Sequence, residues 1–176
     1  MNMQYFFERI KKAVFGGKLT QKQVDGMNRI IAYRDEKWPK MPDAELAYLL
    51  ATVVHETAFT MQPVTEYGSL AYLKSKKYWP WIGRGLIQIT WKTNYLKFGI
   101  KDPDMALTWP VSLDVAFRGM ILGMFTGKKL SDYIKPGKVP DFVGARAIIN
   151  GTDKAKLIAG YANSFLDALT QAKETP

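Results

Sequence analysis

The 176-residue chain has no cysteine and only one histidine. The first absence excludes disulfides and thiol chemistry. The second, His55, argues against a zinc site, which draws several ligands from His and Cys. No apolar run approaches the ~20 residues of a membrane-spanning helix, and no repeat or low-complexity tract is present. Acidic residues are also scarce, 16 against 25 Lys and Arg, for a net charge of +9. Between Glu56 and Asp102 there is one acidic residue, Glu66, among seven Lys and Arg. The densest basic clusters, Lys11-Lys12, Lys74-Lys76-Lys77 and Lys128-Lys129, carry no nucleic-acid-binding fingerprint, so no nucleic-acid partner is expected. An anionic cell-envelope surface suits the surplus, and simple solubility suits it equally.

Hydrophobic residues make up 47% of the chain and charged residues 23%, as in an ordinary folded domain. One domain over residues 1–176 is expected, without a separate wall-binding domain, and a monomer is the default. The opening MNMQYFFERIKKAVF puts charges inside its apolar stretch and lacks a small-residue cleavage site. Synthesis in a cytoplasm without a signal peptide is therefore expected.

Apolar periodicity predicts a mainly helical fold. Residues 4–14 carry Phe7, Ile10 and Val14 on one face. Thr20 with Gln23 forms a capping box ahead of Val24, Met27, Ile30 and Ile31. Asp43 is a good N-cap for a helix striped by Leu46, Leu49, Leu50, Val53 and Val54. Residues 60–82 lose the period and read as a loop-rich insert or short hairpin. Three further helices are expected at about 91–98, 111–126 and 153–172. The second carries Leu113, Ala116, Phe117, Met120, Ile121 and Met124 on its stripe. The third carries Leu157, Tyr161, Phe165 and Leu169.

The Asp43 helix ends in VVHETAF, residues 53–59. His-Glu opens the zinc-protease signature H-E-x-x-H, but the position four after His55 is Phe59. No metal is expected. Glu56 instead falls at the edge of the apolar stripe, at the helix's C-terminal end. Apolar shelter and the negative helix end both disfavour its ionised form, which suits a general acid. Sugar-bond hydrolysis takes a second carboxyl group. Glu66, ten residues on in the loop, is the candidate, with a solvated surface Glu as the plainer alternative. If the loop folds back, a separation of roughly 6.5–9.5 Å would suit inversion through a water.

The order of AYLLATVVHETAF, VTEYG, WIGRGLIQITWKTNY and ARAIING resembles glycoside hydrolase family 19, its chitinases and its phage endolysins of the lysozyme-like superfamily. The similarity runs from about residue 20 to residue 165. It implies a lysozyme-like helical domain with a short β-hairpin insert beside a substrate groove. It also implies Glu56 as general acid, Glu66 as general base and Thr90 as a holder of the attacking water. Gln88, Asn94, Tyr95 and Asn150 would contact sugar. Gly83, Arg84 and Gly85 would shape a turn. Trp81, like Trp79 and Trp91, can stack on a sugar ring, with packing as the plainer role. His55 can orient a neighbour or serve structure alone. The sequence departs from the family in reading Ala-Phe-Thr after His-Glu-Thr, where many members have Gly.

The first functional expectation is an endolysin cutting β-1,4 bonds of peptidoglycan, with no cofactor and a holin as export partner. A chitinase is the second, since it needs the same carboxylates. A cationic membrane disruptor acting through residues 4–15 and 153–173 is a third, of another class.

Overall fold

A computed structural model describes residues 1–175. Its helices are α1 (Met3–Ala13), α2 (Gln21–Lys37), α3 (Asp43–Glu56), α4 (Leu70–Lys74), α5 (Lys92–Lys97), α6 (Trp109–Leu122), α7 (Leu130–Tyr133) and α8 (Ala155–Glu174). Two-residue strands β1 (Val64–Thr65) and β2 (Arg84–Gly85) pair antiparallel, Val64 opposite Gly85. Two 3₁₀ turns, Pro103–Leu107 and Gly144–Ile148, complete the chain. This is the layout expected, a helical domain with a loop-rich hairpin insert.

The core forms around α3. Every residue from Glu45 to Val54 is buried. A helix apolar on all sides belongs inside a domain rather than on its surface. So the single stripe read from the sequence understates the burial. Helix α8 packs along α3, and α1 packs on α8. The capping box at α2 is formed by Thr20 and Gln23 as the sequence predicts.

Several boundaries and faces differ from the sequence reading. Pro42, not Asp43, takes the N-cap place of α3, and no side chain caps that end. Asp43 enters the helix and accepts instead from Arg34 Nη1 at 3.0 Å and Lys173 Nζ at 2.5 Å. In α1 the buried line is Phe6, Ile10 and Val14, four residues apart, and Phe7 is only half-buried. In α8 the inner line runs through Ile158, Ala162, Phe165 and Leu169, leaving Leu157 exposed. Helix α6 starts at Trp109 and stops at Gly123, whose φ of +70° closes it in the left-handed conformation. The insert holds an unforeseen short helix, α4, capped by Ser69 Oγ accepting from Tyr72 N at 3.2 Å.

Candidate active site

Glu56 is the last residue of α3, so a helix locked in the core carries its carboxylate outward. It opens into a cavity of about 390 Å³. The other polar side chains there are Gln88, Thr90, Asn94 and Asn150, with Trp91, Phe125 and Ile149 among the apolar lining. Three distant stretches thus converge on one carboxylate: the end of α3, the 87–94 turn, and 125 with 149–150. A larger cavity of about 710 Å³ between α1 and α8 holds none of the sequence-predicted site residues.

Glu56 has a partner that the sequence reading did not supply. Arg146 Nη1 lies 3.0 Å from its Oε1. The guanidinium side chain is only 2% exposed, against 17% for Glu56. Arg146 Nε donates to the carbonyl of Asp153 at 2.7 Å, so the guanidinium is anchored on its far side. The apolar shelter expected for Glu56 from the sequence is thus overturned, because its nearest polar partner is a buried cation. A fixed cation holds one of its oxygens, and the cavity is open to it. The only trace of this in the sequence is an Arg set inside the apolar run ARAII.

The loop after Glu56 explains the Ala-Phe-Thr departure. Ala58, Phe59 and Met61 have φ of +46°, +68° and +55°. The chain takes a glycine-like path without glycine, a strain of roughly 1–2 kcal/mol per residue. Packing compensates. The Phe59 ring meets Phe15 and Tyr161 edge-on, and its carbonyl accepts from Gln23 Nε2 at 2.9 Å. Gly26 of α2 lets Met61 approach, since a Cβ there would lie 1.9 Å from Met61 O.

Glu66 follows β1 and is half-buried. Its Oε1 accepts from the Tyr78 hydroxyl at 3.0 Å and its Oε2 from the Gly83 N–H at 2.9 Å. It does not line the cavity; Gly83, which donates to it, packs against Gln88, which does. A Cβ on Gly83 would sit 2.9 Å from Gln88 Oε1 and 3.4 Å from Glu66 Oε2. Gly83 thus packs closely against both the Gln88 amide and the Glu66 carboxylate. Burial raises the Tyr78 pKa, and the hydrogen bond to Glu66 raises it further, so this phenol stays a donor.

The 83–90 turn is held by its own side chains. Gln88, at φ +57°, donates from Nε2 to Val64 O and Gly85 O at 2.8 and 3.1 Å. Its amide nitrogen therefore ties the hairpin, leaving the amide oxygen toward Gly83. Thr90 Oγ1 donates to Gln88 O at 2.9 Å, so the hydroxyl's lone pairs remain to accept. Asn94 Nδ2 donates to Thr90 O at 2.8 Å. Gly85, at φ +87°, could not be replaced: a Cβ would lie 2.8 Å from Ser112 Oγ and 2.9 Å from Ala106 O. Arg84 is buried, with Nη1 donating to Pro80 O at 2.8 Å. Its Nε stands 3.3 Å from Asp104 Oδ1, an ion pair by distance without hydrogen-bond alignment.

Three residues expected to meet the substrate, Tyr95, Trp81 and His55, do not line the cavity. Tyr95 is fully buried and donates its hydroxyl to Ile82 O at 2.6 Å. It is a core residue, because α5 turns that face inward. Trp81 packs edge-on against Tyr95 at 5.2 Å and does not line the cavity. Trp91 does, half exposed, its ring edge-on to Tyr78 at 5.1 Å. Asn150 lines the cavity from the end of the second 3₁₀ turn, and its own N–H donates to Arg146 O at 2.9 Å. His55 is half-buried beside Glu56 and outside the lining. Phe125 and Ile149 were not singled out from sequence. They lack any local pattern and enter only through the fold.

No protein-family model matches the chain, and no curated protein matches it either. Among solved structures, the chain is similar to chitinase C from Streptomyces griseus. The identity is 18% over 98% of this chain and 91% of that one, with a TM-score of 0.46. A mutant of chitinase C overlaps at 18% identity over 98% of this chain and 92% of that one, with a TM-score of 0.47.

Proposed function

We propose that the chain is a glycoside hydrolase that cuts β-1,4 bonds of bacterial peptidoglycan by two-carboxylate acid–base catalysis. One observation carries the reading. Glu56 is the sole ionisable side chain in a cavity whose other polar lining is amide and hydroxyl, groups that suit sugar hydroxyls and N-acetyl groups. Glu56 gives its proton to the leaving glycosidic oxygen. Glu66, fixed by Tyr78 and Gly83, takes a proton from the attacking water, and the water oxygen bonds to the anomeric carbon. Thr90 accepts a hydrogen bond from that water, its own proton being committed to Gln88 O. Trp91 offers a ring face for stacking. Such chemistry fits lysis of a bacterial host, as in the phage endolysins that the sequence resembles.

The test is mass spectrometry of fragments from purified peptidoglycan, wild type beside Glu56→Gln. New reducing ends at N-acetylmuramic acid, lost in the variant, are the expected result. Ends at N-acetylglucosamine would move the cut to the other bond. No sugar products from wild type would overturn the wall-lytic reading, and cleavage of chitin oligomers alone would put a chitinase in its place.

A further inference from the structure

The positive charge is not spread evenly along the sequence. Apart from Glu56, the cavity is lined by residues within 87–94, by 125 and by 149–150, which fall in the longer segments 57–101 and 123–156. Those segments hold 14 basic and 4 acidic residues, and the rest of the chain holds 11 basic and 12 acidic. The whole surplus therefore belongs to the segments that build the cavity. A surplus serving solubility alone has no reason to be confined this way.

The ion pairs of lysine divide along the same line. Elsewhere in the chain, Lys11 pairs with Glu8, Lys37 with Glu36 and Lys173 with Asp43. Among the described residues, none of the 12 lysines in the two cavity segments pairs with a carboxylate. Several stand next to the lining. Lys92 follows Trp91, and its Nζ lies 5.9 Å from the Trp81 ring centroid. Lys97 Nζ donates to Met124 O at 3.3 Å, beside Phe125. The Lys128 N–H donates to Thr126 Oγ1, which donates to the carbonyls of Ala147 and Ile148, just before Ile149 and Asn150. Lys154 follows Asp153, whose carbonyl anchors Arg146.

We propose that this lysine collar recognises carboxylates branching from the glycan strand, and so selects acid-bearing peptidoglycan over neutral chitin. The proposal rests on the glycosidase reading above. Lysine suits the task because its flexible point charge can follow branches of varied position. The collar acts within a Debye length of about 8–10 Å at ordinary salt, so its effect fades as salt rises.

The experiment compares wild type with Lys92→Gln/Lys97→Gln/Lys128→Gln and with a control outside the collar, Lys12→Gln/Lys18→Gln/Lys40→Gln. All six lysines are exposed, so folding should survive, and a melting curve checks it. The substrates are sacculi stripped of phosphate polymers, the same sacculi with peptide carboxylates amidated, and a neutral chitin oligomer. On stripped sacculi the collar variant should lose roughly tenfold in kcat/KM, carried by KM, with a flatter salt dependence. Wild type on amidated sacculi should fall to the same rate, and the control should match wild type on every substrate. Equal rates for the two variants on stripped sacculi would overturn the proposal while leaving the glycosidase reading intact. So would undiminished activity of wild type on amidated sacculi. A collar effect seen only before stripping would assign the lysines to phosphate polymers and overturn it too. Cleavage of the oligomer without cleavage of sacculi would overturn both readings together.

Discussion

Replacing Arg146 by Met removes the cation that holds Glu56 and keeps most of the side chain's bulk. The two groups meet at 3.0 Å, with the guanidinium 2% and the carboxylate 17% exposed. Opposite charges ~4 Å apart attract by about 4 kcal/mol at an effective dielectric near 20. Desolvation offsets part of that attraction, yet deleting one partner of a buried pair still costs roughly 3–5 kcal/mol. Glu56 faces an open cavity, where water can replace part of what Arg146 supplied. The bond to Asp153 O is also lost. The expected destabilisation is therefore about 2–4 kcal/mol. For a chain of this length it lowers Tm by roughly 5–12 °C. Urea unfolding at neutral pH reads it directly. The double variant with Glu56→Gln should be less destabilised than the sum of the single variants, by about 1–2 kcal/mol. If Glu56 is the proton donor proposed above, turnover should fall through kcat more than KM, because its carboxyl is no longer aimed. A single variant within ~0.5 kcal/mol of wild type, or strict additivity, would refute the reasoning.

Tyr78→Phe removes one of the two donors to Glu66 and nothing from the cavity itself. A kcat loss of roughly five- to tenfold is expected, the size of one hydrogen bond. KM should hold, and unchanged steady-state kinetics would remove Glu66 from the role of base. At the opposite end of α3, burial raises the Glu45 pKa above its ordinary 4.5. A folded-state value raised in this way means that the native state binds the proton more tightly. The cost of the charge is absent below about pH 4 and grows as pH rises through the raised value. Glu45→Gln should thus raise Tm at pH 7 and lose that gain near pH 4, as paired melting curves would show. A gain independent of pH would contradict burial as the cause.

The helices were legible because their signals are local. Thr20 and Gln23 announce the start of α2. The end of α6 was not legible: the apolar stripe carries on to Met124, while Gly123 in the left-handed conformation stops the helix before it. Fine orientation was less so. Phe6 and Phe7 are adjacent and equally apolar, and only packing on α8 chooses between them. Pro42 displaced Asp43 from the cap, because Asp43 finds two cations across the fold. At the site, the motif residues Glu56, Gln88, Thr90, Asn94 and Asn150 do gather around one cavity. Arg146 was missed because it meets Glu56 across 90 residues of chain, and no spacing rule reaches that far. Tyr95 enters the groove only through the resemblance; on so short a helix a one-residue shift carries a side chain from cavity to core, and here it faces the core.

The two carboxylates stand on supports of very different firmness. Glu56 ends a helix whose backbone amides are shielded on every side, so they should exchange with deuterium only when the whole domain opens. Glu66 hangs beside a two-residue strand and a half-exposed loop, whose amides should exchange far sooner. Breathing of the groove is thus one-sided. Glu56 is expected to stay fixed while the segment bearing Glu66 moves, and hydrogen exchange along both segments would read the difference.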